Sequence, residues 1–322
     1  MVDEQVSGSD RPVEDAGPKV DGPGRRDFLK IAGAGAATAL LAMYVGGSVS
    51  GCAGAKLFTL TGCCPRPKGI EGRLRVVTYN IANARGNHDD FFRDVPARKV
   101  RSNLDDMIDM LKSEKADVVC MNEADFNSAR TKNIDQAKYI ARGLCFNHVI
   151  EETIFGMPPL LQLGNAVVSR YPLALNGHHQ YGRTFAQRVL HYFKSYVDFD
   201  VKLSTAGSKD LNFVHTHYDA ERESTRMKET AQILRHLRAK KPPFVLLGDF
   251  NSGPGMPSFD RLLSSGLVHN PYVGIRSYPS DTPRESIDHI LVSKGLGIAD
   301  YHTVHIEASD HRPIVGTVLI YR

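Results

Sequence analysis

Phe244-Val245-Leu246-Leu247-Gly248-Asp249-Phe250-Asn251-Ser252-Gly253-Pro254-Gly255 is an apolar run that stops on an acid, an amide and a cluster of turn residues. Such a run followed by such a break predicts a buried strand. Side chains two apart in a strand share a face, so an extended chain would point Asp249 and Asn251 the same way and turn Phe250 into the core. Ser252, Gly253, Pro254 and Gly255 then end the strand, and loops at strand ends are where reactive groups collect. An Asx-type turn closing a core strand would use the same residues, and this stretch alone fits either.

The same pattern recurs on both sides of it. Leu74 to Ile81 is a β-rich run ending on Asn80, either a strand-end hydrogen-bonding group or a ligand for a hard cation or phosphate. Ala116 to Glu123 is an apolar strand finishing on a carboxylate, and Gln162 to Leu173 is a strand with Asn165 near its start and a proline at its exit. Val197 to Leu203 and Leu211 to Thr216 pair as a hairpin whose second arm runs into His217. Val100, Leu104, Ile108 and Leu111 have the spacing of an amphipathic helix over 98–114, and a second helix is predicted over 222–240, with Met227, Ile233, Leu234 and Leu237 buried. Asp288 is an acid inside an apolar run, costly unless a histidine or a metal pairs with it. Asp310-His311 precedes the last strand. Taken singly these are structural features, but five or six strand ends all supplying Asn, Glu, Asp or His indicate one shared site.

In order, Thr-Tyr-Asn80, Asn-Glu123, Gly-Asn165-Ala-Val-Val-Ser-Arg, Thr-His217-Tyr-Asp, Gly-Asp249-Phe-Asn251, Ile-Asp288-His-Ile and Ser-Asp310-His311 resemble the endonuclease/exonuclease/phosphatase superfamily, from about residue 73 to the C-terminus. The resemblance implies an α/β fold: a four-layer αββα sandwich of two mainly antiparallel sheets flanked by helices, with the site at one edge. It implies that Glu123, Asn80 and Asp310 hold a divalent cation, Mg2+ or Mn2+. It assigns Asp249 to orient and activate water, Asn251 to hold that water or the phosphate, and His217 to hydrogen-bond a phosphoryl oxygen. His311 would donate a hydrogen bond or a proton at the phosphate, held by Asp288, and Asn165 would sit near the phosphate or fix Asp249 and His311. The implied activity is hydrolysis of a phosphodiester, in nucleic acid or a phospholipid head group, by in-line attack of water. A phosphomonoesterase of inositol phosphates is one alternative, and an idle binding lipoprotein that kept the fold is another.

The chain of 322 residues is 42% hydrophobic, ample for a sizeable core. Its net charge of +4 is too small to indicate nucleic acid by itself. Residues 1–71 carry 8 basic and 8 acidic residues, leaving 32 basic against 28 acidic after them, and all 13 histidines lie in that remainder.

Residues 1–24 are polar and rich in Asp, Gly and Pro, a composition that predicts disorder. Arg25-Arg26-Asp27-Phe28-Leu29-Lys30 and the uncharged stretch 31–55 resemble a twin-arginine export signal; an uncleaved membrane helix would read the same way. Val49-Ser50-Gly51-Cys52 resembles a lipobox, with Cys52 as the lipidated residue. The implied protein is exported, periplasmic or extracellular, held at the membrane by an anchor or lipid, and a client of the twin-arginine translocase. Residues 56–71 read as a linker to a domain at 72–322, which is expected to be a monomer. Five cysteines with Cys63 and Cys64 adjacent show no disulfide framework. His178-His179 with Tyr181, Arg183 and Arg188 read as a basic, aromatic segment between strands, and Pro158-Pro159-Leu160-Leu161 as an apolar loop that touches lipid or covers a sheet edge.

Overall fold

The protein is described here by a computed structural model covering residues 54–61, 72–87, 95–157, 160–182, 194–203 and 210–321. The twin-arginine pair, Cys52, Cys63, Cys64, Pro158, Pro159, Arg183 and Arg188 lie outside the described residues.

One sheet has the order β1 (Gly54–Thr59), β5 (His148–Met157), β6 (Leu161–Ser169), β3 (Val118–Ser128), β2 (Arg73–Asn80), β13 (Ile314–Ile320), β12 (Leu296–Thr303), with β4 (Ile134–Asp135) added to β3. The second has the order β11 (Asp288–Val292), β10 (Phe244–Asp249), β9 (Leu211–His217), β8 (Ser195–Val201), β7 (Leu173–Gln180). Only β2 with β3 and β9 with β10 run parallel. Each parallel pair needs a long crossover. Helix α1 (Ala97–Ser113) supplies the first and α3 (Glu223–Ala239) the second. Helices α2 (Gln136–Leu144) and α4 (Pro257–Ser264) complete the outer layers.

Alternation along the strands sorts the core into three layers. Leu74 and Val76 of β2, Val118 and Cys120 of β3, Phe213 of β9 and Leu247 of β10 meet between the sheets. Val77, Tyr79 and Met121 face outward, against Val100, Leu104, Met107 and Leu111 of α1 and Ile140 of α2. Val214 and Leu246 pack against Ile233, Leu234 and Leu237 of α3 and Phe259 of α4. Each such aliphatic side chain contributes about 1.5–3 kcal/mol on burial. These layers are the expected αββα sandwich. Asp198 of β8 fastens α3 from inside: its carboxylate accepts from His236 at 3.0 Å, Lys240 at 2.5 Å and Asn212 at 2.7 Å. Burial opposes that charge, but these donors outweigh it and hold the Asp198 carboxyl well below the usual carboxylate range.

Four expectations need correction. Residues 56–59 are not linker, because β1 pairs antiparallel with β5 along its whole length, Gly54 opposite Thr153 and Thr59 opposite His148. Cys145 is disulfide-bonded, a bridge that the cysteine spacing did not indicate. Gln162 to Leu173 is β6, a turn and the first residue of β7; His178 and His179 therefore lie within a strand rather than between two. Strand β3 does not stop at Glu123 but runs on to Ser128. No helix among the described residues is long and apolar enough to cross a membrane.

Candidate active site

Both parallel pairs end at the same edge of the sandwich. Asn80 and Asn122 are register partners at the ends of β2 and of the regular part of β3; Asp249 and His217 are partners at the ends of β10 and β9. The sheets are joined there by Asn80, whose Nδ2 donates to Asp249 Oδ2 at 3.0 Å and to Glu123 Oε1 at 3.3 Å. At Gly248 the strands approach so closely that any Cβ would overlap the Thr216 carbonyl oxygen.

Glu123 reaches the site through a break in its strand. Its φ is +56°, and the β3–β6 register shifts between Met121 and Ala124. Such a bulge re-aims a side chain, here turning a carboxylate toward the edge while the strand continues. Glu123 remains one-third exposed.

Asp249 is buried at 1% exposure. Its Oδ2 accepts from Asn80, and its Oδ1 from the Asn251 backbone N–H at 2.8 Å. Burial and then the nearby Asp288 push its carboxyl up, against the pull of His311 and Asn80. Asn251 does not continue the strand: with φ +46° it forms the turn, and its Nδ2 donates to the Tyr218 carbonyl at 2.9 Å. The Asx-type turn and the buried carboxylate are thus both present in one stretch, and Asn251 holds Asp249 through its backbone rather than from a shared face.

Asp288 and His311 form the expected pair, Nδ1 to Oδ2 at 2.8 Å. Ser277 donates to the same oxygen at 2.6 Å. Burial disfavours charge on His311, yet Asp288, Asp249 and Asp310 outweigh it and hold the imidazolium well above the ordinary histidine range. His311 Nε2 then faces Asp249 Oδ2 across 4.0 Å.

His217 differs from expectation. Burial, then Lys194 and His311, push its pKa well below the usual value. A neutral ring whose Nε2 lies 2.7 Å from Lys194 Nζ accepts from the ammonium there. That nitrogen, 3.7 Å from Glu123 Oε1 and 3.6 Å from Asp249 Oδ2, carries a lone pair, so the donor it brings to the site is Lys194. Asn165 lies behind the site. Its hydrogen bonds go to Asn122 at 2.9 Å and to buried Glu152 at 2.7 Å. Asn122 in turn accepts the Asp249 backbone N–H at 3.0 Å and donates to the Thr216 carbonyl at 3.1 Å. Asn165 therefore braces Asp249 at one remove and does not touch His311.

Asn122, Lys194, Ser277 and Glu152 also bond to the groups of this site and were not singled out in the sequence. Asn122 carried a signal, an amide inside an apolar run beside Glu123, whereas a lysine at a strand start is ordinarily a surface residue. Ser309 is another: its hydroxyl donates to the Asn80 carbonyl at 2.7 Å and accepts the His311 N–H at 3.2 Å.

Glu123 and Asp310 fit a hard divalent cation, because both offer carboxylate oxygen at one corner of the site. Burial raises the Asp310 pKa and Glu123 raises it further, a repulsion that a cation would relieve. Asn80 turns its amide oxygen to the Ala82 N–H at 3.1 Å and its NH2 to the carboxylates, so it orients Glu123. Asp249, Asp288 and His311 also lie within 4.8 Å of one another, but their charges already pair internally.

The same fold occurs in solved structures. A protein from Bacteroides vulgatus described as an endonuclease/exonuclease/phosphatase is 15% identical with TM-score 0.59, covering 78% of this chain and 100% of that one. A mannosyl-6-phosphatase from Bacteroides thetaiotaomicron VPI-5482 is 16% identical with TM-score 0.58, covering 77% and 100%. ANGEL2, a 2',3'-cyclic phosphatase, in complex with adenosine-2',3'-vanadate, is 15% identical with TM-score 0.57, covering 81% and 100%. No curated protein matches by sequence. The sequence model of the Endonuclease/Exonuclease/phosphatase family matches residues 77–311, a span that holds every group of the site from Asn80 to His311, and the chain belongs to that family.

Proposed function

We propose that this chain is an exported phosphoesterase that uses a divalent cation, magnesium or manganese, to hydrolyse a phosphodiester by in-line attack of water. The observation that carries it is the opposition of Asp249 to the His311–Asp288 pair beside Glu123 and Asp310. Asp249, its carboxyl raised by burial, is suited to accept the proton of a water that attacks phosphorus. His311, kept charged by Asp288, donates from Nε2 to the leaving oxygen as the P–O bond breaks. Lys194, seated on His217, offers a second positive charge to the phosphoryl oxygens. Glu123 and Asp310 would hold the cation, which when bound supplies Lewis-acid polarisation of a phosphoryl oxygen. Asn251, Asn122 and Asn165 keep Asp249 in place.

Export is supported by the twin-arginine pattern and by the disulfide at Cys145, since disulfides persist outside the reducing cytosol. A second reading, hydrolysis of a monoester, is favoured by Lys194, because another cation suits a dianionic phosphate. The test is turnover of bis-p-nitrophenyl phosphate and of p-nitrophenyl phosphate by the full chain, with Mg2+, Mn2+ or EDTA. Diester turnover lost in EDTA and in Asp249→Ala and His311→Ala is the expected result. Turnover of the monoester alone selects the second reading, and none with any metal means an idle binding protein.

A further inference from the structure

The strand register shows where the N-terminal segment joins the folded protein. Glu152 pairs with Asn165, and Asn165 accepts from Asn122, whose side-chain oxygen accepts the Asp249 backbone N–H. Thr153, the next residue of β5, is the partner of Gly54. Gly54, the first described residue, therefore lies at the catalytic edge, and β1 runs from there toward the opposite one. Three strand spacings separate β1 from β3, about 14 Å at roughly 4.8 Å each, measured along the edge to Glu123.

Immediately before Gly54 the sequence 31–53 has no charged residue and is long enough to span a bilayer. The two adjoin in the sequence, so such a span would tether the domain by its Gly54 end and keep that end near the bilayer. Between the tether point and the site, the β5–β6 hairpin continues past Thr153 and Gly164 through the pairs Phe155–Leu163, Gly156–Gln162 and Met157–Leu161. That is roughly 10 Å of rise at about 3.4 Å per residue. The hairpin is apolar: Ile154 and Leu163 pack with Phe155 and Leu161, and Leu160 stands 51% exposed. The Leu160 carbonyl accepts from Ala129, and exposed Lys132 lies in the same turn. Apolar side chains beside a lysine suit the boundary of an anionic bilayer.

We infer that the catalytic edge is the membrane-facing edge of this protein, docked through the Gly54 end of β1 and the Leu160 hairpin, and that its substrate is a phosphate ester in the head groups of the same bilayer. The substrate half rests on the phosphoesterase reading above; the docking half does not.

The chain has no tryptophan, so single tryptophans report position without background. Full-length Leu160→Trp and Tyr321→Trp would each be reconstituted in phosphatidylcholine–phosphatidylglycerol vesicles with brominated acyl chains. Tyr321 follows β13 at the opposite edge and is 63% exposed. The tryptophan at 160 should shift to shorter wavelength and lose most of its emission to bromine, while that at 321 does neither. Equal quenching at both positions, a water-like spectrum at 160 or failure of the protein to float with vesicles overturns the docking face. Head-group release from lipid in the enzyme's own vesicle should exceed that from separate vesicles by about 100-fold, the usual gain from effective concentration. If bis-p-nitrophenyl phosphate is turned over but lipid in the same vesicle is not, the substrate inference falls and the phosphoesterase reading stands. Quenching as expected with no turnover of any ester leaves the docking face and removes the phosphoesterase reading.

Discussion

Replacing Asp288 with Asn tests whether the His311 pair is what the chemistry depends on. Asp288 Oδ2 takes two donors, His311 Nδ1 at 2.8 Å and Ser277 Oγ at 2.6 Å, while its other oxygen is buried without a partner. An Asn can keep its carbonyl on both donors and place its NH2 where Oδ1 was, so the shape survives and the charge does not. At an effective dielectric of about 20, a unit charge 2.8 Å away is worth roughly 6 kcal/mol of gross attraction to an imidazolium. Desolvation offsets most of that, and the net worth of a hydrogen bond to a charged group is about 1.5–3 kcal/mol. Taken from the transition state, this lowers kcat by about 10- to 160-fold. The assay is kcat and KM on bis-p-nitrophenyl phosphate in saturating Mg2+, with thermal unfolding to verify the fold. Because Asp288 acts through His311, Asp288→Asn combined with His311→Ala should be no slower than His311→Ala alone. A wild-type kcat in Asp288→Asn, a loss confined to KM, or multiplicative losses in the double variant would refute the reasoning.

Other consequences follow from single contacts. Glu123→Gln should weaken Mg2+ binding, read by titration calorimetry, by at least about 10-fold, the lower bound for losing even an outer partner of a metal site; an unchanged affinity would place the cation elsewhere. Asp198→Asn should cost about 2 kcal/mol at pH 7, because His236 and Lys240 lose their anion. The folded-state pKa of Asp198 is depressed, so its contribution is present above the ordinary value near 3.8 and is lost as pH falls below it. Urea midpoints of the two proteins should therefore converge toward acid, and a gap independent of pH would show that the carboxylate's charge is not responsible. Gly248→Ala should destabilise the fold by more than about 4 kcal/mol, since φ is +140° and the Thr216 carbonyl occupies the Cβ position; a near-native unfolding midpoint would contradict that packing.

Periodicity and punctuation are local properties, and whatever depends on them was legible in the sequence. The apolar run before Asp249, the helical spacing of Val100, Leu104, Ile108 and Leu111, and the hairpin leading to His217 all appear where they were expected. Asp288, a carboxylate in an apolar run, called for a histidine or a metal as partner, and His311 takes that place as the family resemblance implied. Strand β1 escaped because its pairing partner is nearly a hundred residues away, and a short segment of mixed polarity beside a Pro-containing stretch has no period of its own.

By itself the sequence determined which side chains were available at the strand ends and in what order, because burial patterns follow from residue type and spacing. Tertiary structure decided what those side chains do. A bulge with φ +56° aims Glu123, and a positive φ at Asn251 turns a shared face into a backbone brace. Lys194 makes His217 an acceptor, and Asn165 works through Asn122. Hydrogen-bond direction and charge state are set by the nearest groups in space, and in a two-sheet sandwich those come from strands far apart in the chain.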